Sequence, residues 1–404
     1  MENITDTSFH GGKEKHQQYY ENLMQKAVID GRITERDAIQ IKAFLSEIKG
    51  LNGISTHRIY KLSYQLVGMR KWFPEYSELT NTTFFSGLED FKNKGGYTQT
   101  TQSDMIKITR RFLLWLDEAK ESSPNLDVTK IRKIKTKGVI VTKTADDILT
   151  PVEVAAIFDA VTTTRNRALV EILYESMGRC GEIATLRWNQ ITFYKGYASV
   201  KLDGKTGKMR PVTLQSSNVR LRQWRDMCGN PQPNDLVFPS RPGSDTLMSY
   251  NGMKKIVKKA AKKAGIEKSI SLHTFRHSRI THLMQQGVPE KTIKMQAWGD
   301  VSTDMLKVYA HLTPSDVEMD MLKHYGIETD DNLKQIDNTL DPIQCKICGL
   351  VNPHSSQFCY GCNQALSADA VNEIANLQKI IENDPLFLQR VLQLAIDAQK
   401  TPQT

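Results

Sequence analysis

Between residues 17 and 118 apolar side chains return every three to four positions, which predicts helices and gives no strand pattern. Tyr20, Leu23, Met24, Ala27 and Val28 form the first stripe, and Gly31 stops that helix. Thr34 followed by Asp37 makes a loose capping box for a second helix, whose buried face is Ile41, Phe44, Leu45 and Ile48. A third helix is predicted from Ser55 to Trp72, with Arg58, Lys61, Arg70 and Lys71 outward, and a later one over Ser103–Ala119. The aromatic residues Trp72, Phe84, Phe85, Phe91 and Trp115 read as core rather than as a base-stacking platform.

The pattern lapses over residues 121–147. This stretch opens Glu-Ser-Ser-Pro-Asn and continues with Lys130, Arg132, Lys133, Lys135, Lys137 and Lys143. It reads as a linker, either a solvated spacer or a basic strap along a phosphate backbone. Periodicity resumes at Thr150-Pro151 with Glu153, a helix start. Residues 165–176 form an apolar helix, and the alternation over residues 197–214 predicts two strands joined by a turn. Residues 249–264 form an amphipathic helix with Met253, Ile256, Val257, Ala260 and Ala264 on one face. Lys254, Lys255, Lys258, Lys259, Lys262 and Lys263 occupy the rest, a candidate phosphate-binding face. A short helix is expected to open at Thr313-Pro314 and end at Gly326, followed by a polar stretch over 328–341. The C-terminal helical segment, split by Pro385, carries an apolar stripe (Val371, Ile374, Leu377, Ile381, Leu386, Val391, Leu394) suited to a partner helix.

Composition narrows the class. With 404 residues the chain exceeds one ordinary core, so two or three domains are expected. Its hydrophobic (39%) and charged (25%) fractions are those of a soluble globular protein. The net charge of +9 suits a polyanionic partner such as nucleic acid, or simply a basic enzyme. No apolar run approaches the ~18 residues of a membrane span. The polar first residues lack a secretory pattern, so an intracellular, cytoplasmic protein is expected. Four of the six cysteines fall within residues 345–362, a clustering that favours metal over disulfides.

Phosphoryl transfer without a metal needs a nucleophile, cations on the non-bridging oxygens, a proton donor for the leaving oxygen and a base. Three segments carry such groups. Arg179 and Glu182 follow an apolar helix, Lys205 and Lys208 lie in the Gly204-Lys-Thr-Gly-Lys-Met-Arg210 hairpin, and His273-Thr-Phe-Arg276 sits on a helix, where residues three apart share a face. Tyr309-Ala-His311 comes some thirty residues on. Each piece alone is weak; the hairpin, for example, lacks the full phosphate-loop pattern.

In this order the segments resemble the tyrosine recombinases (integrases), directly over about 150–327 and more loosely over the helical N-terminal region. Tyr309-Ala-His-Leu-Thr and Leu322-Lys-His-Tyr-Gly-Ile327 are most similar to archaeal phage- or plasmid-type members, enzymes of mobile elements. The resemblance implies that Arg179 and Arg276 clamp the scissile phosphate, Lys205 protonates the leaving 5′ oxygen and His273 assists proton transfer. Glu182 would support the arginine. Tyr309 would attack phosphorus and leave a 3′-phosphotyrosyl bond, with neither ATP nor a catalytic metal. Asp300 stands where the family has a histidine or tryptophan; Trp298, two residues earlier, is the preferred substitute.

Cys345-x-x-Cys348 and Cys359-x-x-Cys362 are two knuckles separated by ten residues. Four thiolates satisfy one structural zinc ion and leave no open position, so the segment resembles a short zinc ribbon. A redox pair of dithiols is the alternative. The expected architecture is multidomain: an all-α core-binding domain (15–120), a basic linker (121–147), an α+β catalytic domain (148–327), a zinc ribbon (340–366) and C-terminal helices (367–400). The resemblance implies a clamp around double-stranded DNA at specific recombination sites, bound through phosphates and including Lys133 and Lys135, with four protomers on two sites and no membrane. The rival readings are a topoisomerase-like relaxase and an architectural DNA binder with a decayed active site.

Overall fold

The computed structural model describes residues 9, 12–123, 125–136, 147–203, 209–241, 243–309, 339–384 and 386–400. It divides into two compact units, residues 1–141 and 142–404.

Unit one is helical: α1 (Gly12–Ile29), α2 (Glu35–Asn52), α3 (Thr56–Met69), α4 (Asn81–Lys94), α5 (Gln99–Glu118) and α6 (Val128–Arg132). The box at the start of α2 forms as read, with Thr34 and Asp37 each accepting the other's backbone N–H. Asp37 is fully buried and also takes the Arg70 guanidinium and the Tyr76 N–H, tying α2 to the turn after α3. Phe44, Tyr76 and Phe112 meet at the centre, and Trp115 stacks on Phe112. The linker expected from residue 121 needs correction in its first half. Asp127 caps α6, Leu126 and Ile131 are buried in this core, and Arg110 donates to the Ile134 carbonyl at 2.8 Å. One helical turn is too short for its period to show in sequence.

Unit two begins with α7 (Pro151–Ala160), opened by the Thr150–Glu153 capping box, then α8 (Thr164–Glu175) and α9 (Cys180–Ala184). An antiparallel sheet follows in the order β1 (Ile191–Phe193), β2 (Ala198–Asp203), β3 (Met209–Leu214), with Val200 opposite Val212 and Leu202 opposite Arg210. The hairpin is the one read from alternation; β1, three residues long, carries too little pattern to be seen. Next come α10 (Ser217–Met227), α11 (Tyr250–Lys263), α12 (Leu272–Gln285) and α13 (Glu290–Trp298). Beyond residue 338 lie β4 (Ile343–Gln344), paired with β5 (Val351–Asn352), then α14 (Ala368–Asn383) and α15 (Phe387–Lys400). The hairpin turn with Lys205 and Lys208, the linker lysines Lys137 and Lys143, and the helix expected after Thr313 lie outside the described residues.

No helix among the described residues is long and apolar enough to cross a membrane.

Candidate active site

Helix α8 ends at Glu175, and the chain reverses through Met177, whose φ of 50° is left-handed. Gly178 follows in a space closed to side chains: a Cβ there would lie 2.8 Å from Ile183 Cδ1 and 2.9 Å from Ser176 Oγ. This tight turn delivers Arg179 as the residue preceding α9. Its backbone N–H donates to Glu182 Oε2 at 2.9 Å and its Nη1 to Oε1 at 2.7 Å.

Glu182 also receives a second guanidinium. Arg210, an inward position of β3, donates from Nη1 to Oε1 at 3.0 Å and from Nη2 to Oε2 at 2.7 Å, a bidentate pair. Its Nε donates to the Gln296 carbonyl at 3.0 Å, so Arg210 joins the sheet to α13. Burial pushes the Glu182 carboxyl upward, but the hydrogen bonds and charges of Arg210 and Arg179 outweigh it, holding the group below the ordinary glutamate value.

Arg276 is buried on α12. Its guanidinium donates to the carbonyls of Met177 and Ala297, the latter at 2.9 Å, and lies 5.1 Å from the Trp298 ring centre. Burial, with Arg179 and Arg210 nearby, lowers its pKa to about 10, so it stays protonated at neutral pH. Three arginines against one glutamate leave two net positive charges in this cluster, as an anion site requires.

Tyr309 closes the site. It ends a short 3-10 turn (Met305–Val308) and is 1% exposed, packed with Met177, Ile280, Ile293, Ala297 and Leu306. Its hydroxyl is hydrogen-bonded to His277 Nδ1. Burial pushes the phenol up to about 12, against the lowering influence of Arg276.

The geometry thus brings together Arg179, Arg276, Trp298 and Tyr309. His273 lies apart, exposed on the first turn of α12, its ring 6.5 Å from that of His277. Lys205 lies outside the described residues. Asp300 is exposed and turned into its own loop, accepting from Ser302 N at 2.9 Å and Ser302 Oγ at 2.7 Å. Trp298, half-buried against Arg276, is the side chain that meets the cluster. Reading the sequence missed Arg210 and His277. Arg210 carried a signal, since it occupies an inward position of an alternating strand. His277 carried only its place beside Arg276.

Lys255, Lys258, Lys259 and Lys262 are exposed on α11 and Lys254 is half-buried; α11 turns Met253, Val257 and Ala260 inward. Lys133 and Lys135 are exposed in unit one.

Glu182 is the common acceptor of two guanidiniums, so Glu182→Ala is expected to destabilise unit two by about 3–5 kcal/mol by leaving Arg210 buried and uncompensated. Urea unfolding measures this; a loss below 1 kcal/mol would refute it. Because the folded pKa is depressed, this stabilisation is complete above the unfolded glutamate pKa and is lost as pH falls through the folded value.

Residues 147–316 match the phage integrase family. The tyrosine recombinase XerD of Vibrio cholerae is 24% identical over 291 residues, covering 67% of this chain and 91% of that protein. These two matches support a site-specific tyrosine recombinase. Tyrosine recombinase XerC of Xanthomonas campestris is 33% identical over 171 residues, covering 42% of this chain and half of that relative. Among solved structures, XerH bound to its difH substrate after cleavage shares the fold with a TM-score of 0.52 at 16% identity, covering 78% of this chain and 99% of that one. Lambda integrase (residues 75–356) bound to DNA gives 0.51 at 13%, covering 69% and 98%. Members of the tyrosine recombinase family cleave and rejoin DNA through a tyrosine intermediate, and the matches support that activity here.

The four cysteines form a second site. All four Sγ atoms lie within 4.8 Å of one another, with Cys345–Cys362 and Cys348–Cys359 each at 3.5 Å. Gly349 (φ 71°) and Asn363 (φ 58°) take the left-handed turn after each knuckle. Backbone N–H groups of its own turn lower the Cys345 thiol, favouring the thiolate that a metal needs. The module packs on α10: Val219 shares its core, Tyr360 donates to Asp226, and Arg167 and Arg220 donate to Ser355 at 3.1 and 3.4 Å.

Proposed function

We propose that this recombinase cleaves duplex DNA at specific recombination sites with Tyr309 as nucleophile, forming a 3′-phosphotyrosyl bond. The observation that carries the reading is the cluster of half-buried Arg179 with buried Arg276 and Tyr309, with a surplus of positive charge. Arg179 and Arg276 hold the scissile phosphate, and Trp298 backs Arg276. Lys205, by its hairpin position, protonates the leaving 5′ oxygen, and His273 assists from the solvent side. The new bond keeps the energy of the one broken, so rejoining needs no ATP. The α11 lysines, with Lys133 and Lys135, supply sequence-independent phosphate contacts that weaken with salt. The Tyr309 and Leu322–Ile327 runs support an archaeal-type subgroup acting on mobile DNA inside the cell. The test is to select sites from a randomised pool of nicked duplexes by SDS-resistant adduct formation, then digest and map the modified peptide. A nucleotide on Tyr309 supports the reading; a nucleotide on another residue, or no adduct from any pool, refutes it.

The Cys345, Cys348, Cys359 and Cys362 set fits one structural zinc ion. Tetrahedral zinc–thiolate bonds of about 2.3 Å place sulfurs about 3.8 Å apart, close to the spacings here. The catalytic residues take no part in holding it.

Assembly follows from the C-terminal helices. Val371, Ile374, Leu377, Leu388 and Val391 are exposed apolar side chains on these two helices. Residues 367–400 carry five acidic and three basic side chains, so a segment of net charge −2 sits on a chain of +9. That charge disfavours DNA as the occupant and favours a second copy of this chain, helix to helix, within the four-protomer assembly on two DNA sites. Light scattering on the DNA-free protein is expected to show a species larger than a monomer, reduced to monomer by Leu377→Glu with Leu388→Glu. A wild-type monomer at every concentration removes this contact.

A further inference from the structure

We propose that His277 is the base that takes the phenolic proton of Tyr309 as it attacks the scissile phosphate. The family resemblance gives the proton-handling histidine role to His273, but His273 is exposed and 6.5 Å, ring to ring, from His277. Asp300, at the position of the family's second histidine, is tied to Ser302. Arg276 stays protonated near neutrality and so cannot accept the proton. The Tyr309 hydroxyl is hydrogen-bonded to His277 Nδ1, which in the tautomer with its hydrogen on Nε2 accepts from it. His277 is placed by the helix itself: one residue beyond Arg276 on α12, it faces the 3-10 turn that carries Tyr309, with the two rings 5.6 Å apart.

The chemistry requires such a partner. Buried away from water, Tyr309 is a neutral phenol at physiological pH, and a phenol is a poor nucleophile. Imidazole, with an unperturbed pKa near 6.5, is matched to accept its proton near neutrality. The step balances as follows. The Oη–H bond breaks and its proton passes to the Nδ1 lone pair, while the neutral ring carries its own hydrogen on Nε2. Oη bonds to phosphorus, the P–O5′ bond breaks, and its electron pair leaves on O5′, protonated by the general acid. In rejoining, the imidazolium returns the proton to Oη as the phosphotyrosyl bond breaks.

The proposal rests on Tyr309 as nucleophile, and the test separates the two. On a nicked duplex selected by the wild-type protein, single-turnover adduct formation is compared for wild type, His277→Asn and His277→Ala. Asparagine can keep a hydrogen bond to Oη but cannot take the proton. Loss of the base is expected to slow the adduct by about 10²–10⁴-fold in both variants. Added imidazole is expected to restore part of the rate to His277→Ala, an effect that a structural role would not produce. A 5′-bridging phosphorothiolate substrate, which removes the need for a general acid, is expected to leave the defect in place. If His277→Ala does not fold, His277→Asn carries the test, with its thermal melt as control. A wild-type rate in His277→Asn, or full rescue by the phosphorothiolate, overturns the assignment while leaving Tyr309 in place. A nucleotide mapped to a residue other than Tyr309 in the wild-type adduct instead refutes the nucleophile.

Discussion

Tyr309→Phe is expected to abolish the SDS-resistant DNA adduct while leaving the fold and DNA binding in place. The substitution removes one oxygen and keeps the ring that packs with Met177, Ile280 and Leu306. What is lost is the proposed nucleophile and one part-buried hydrogen bond to His277, worth about 1 kcal/mol to stability. With the attacking oxygen gone, the residual rate should fall to background rather than by a modest factor. Phosphate contacts do not involve the phenol, so affinity and its salt dependence should be unchanged. Denaturing gels, mobility shifts over a salt series and a thermal melt together decide the matter. An adduct that survived in the variant would place the nucleophile elsewhere. A variant that failed to bind DNA would mean that Tyr309 shapes the site rather than acting in it.

Removing the proposed zinc ion is expected to have the second-largest effect. Residues 340–366 contain only two short strands and a few buried apolar side chains, chiefly Leu350 and Val351, too little to fold unaided. In isolated zinc modules the ion supplies on the order of 10–16 kcal/mol at neutral pH. Chelation, or Cys359→Ser, should therefore unfold the module as a unit. The consequences reach the catalytic unit because the module covers Val219 on α10 and satisfies Arg167 and Arg220 through Ser355. Arg167 lies on α8, the helix that leads to the Arg179 turn. Hydrogen exchange should rise over 340–366 strongly and over α8 and α10 less. Metal analysis should find one zinc per chain. A metal-free protein with native protection, or two disulfides in its place, would sink the zinc assignment.

Much of this was legible along the chain because the signals are local. A cap is a matter of three residues, as at Thr34 and Thr150. A metal knuckle is a matter of four, as at Cys345–Cys348. The hairpin of β2 and β3 shows as period-two alternation. The family's boxes could be read in order because each sits at a boundary of an element, where spacing is short and fixed. Features built by distant segments left weaker traces. The first half of the expected linker packs into unit one, since a single turn of helix around Ile131 has no period to read.

The sequence by itself pointed to the reaction class and to side chains of the kinds that bind phosphate, attack it or hold zinc. Tertiary structure alone decided which of them meet. It set Arg210 against Glu182 across 28 residues and His277 against Tyr309 across 32, while leaving His273 in solvent and Asp300 in its own turn. The reason is physical. Residue type fixes what a side chain can do, but burial and hydrogen-bond partners depend on how separate helices and strands pack. A buried guanidinium or phenol takes its charge state and its role from neighbours that the linear order does not place beside it.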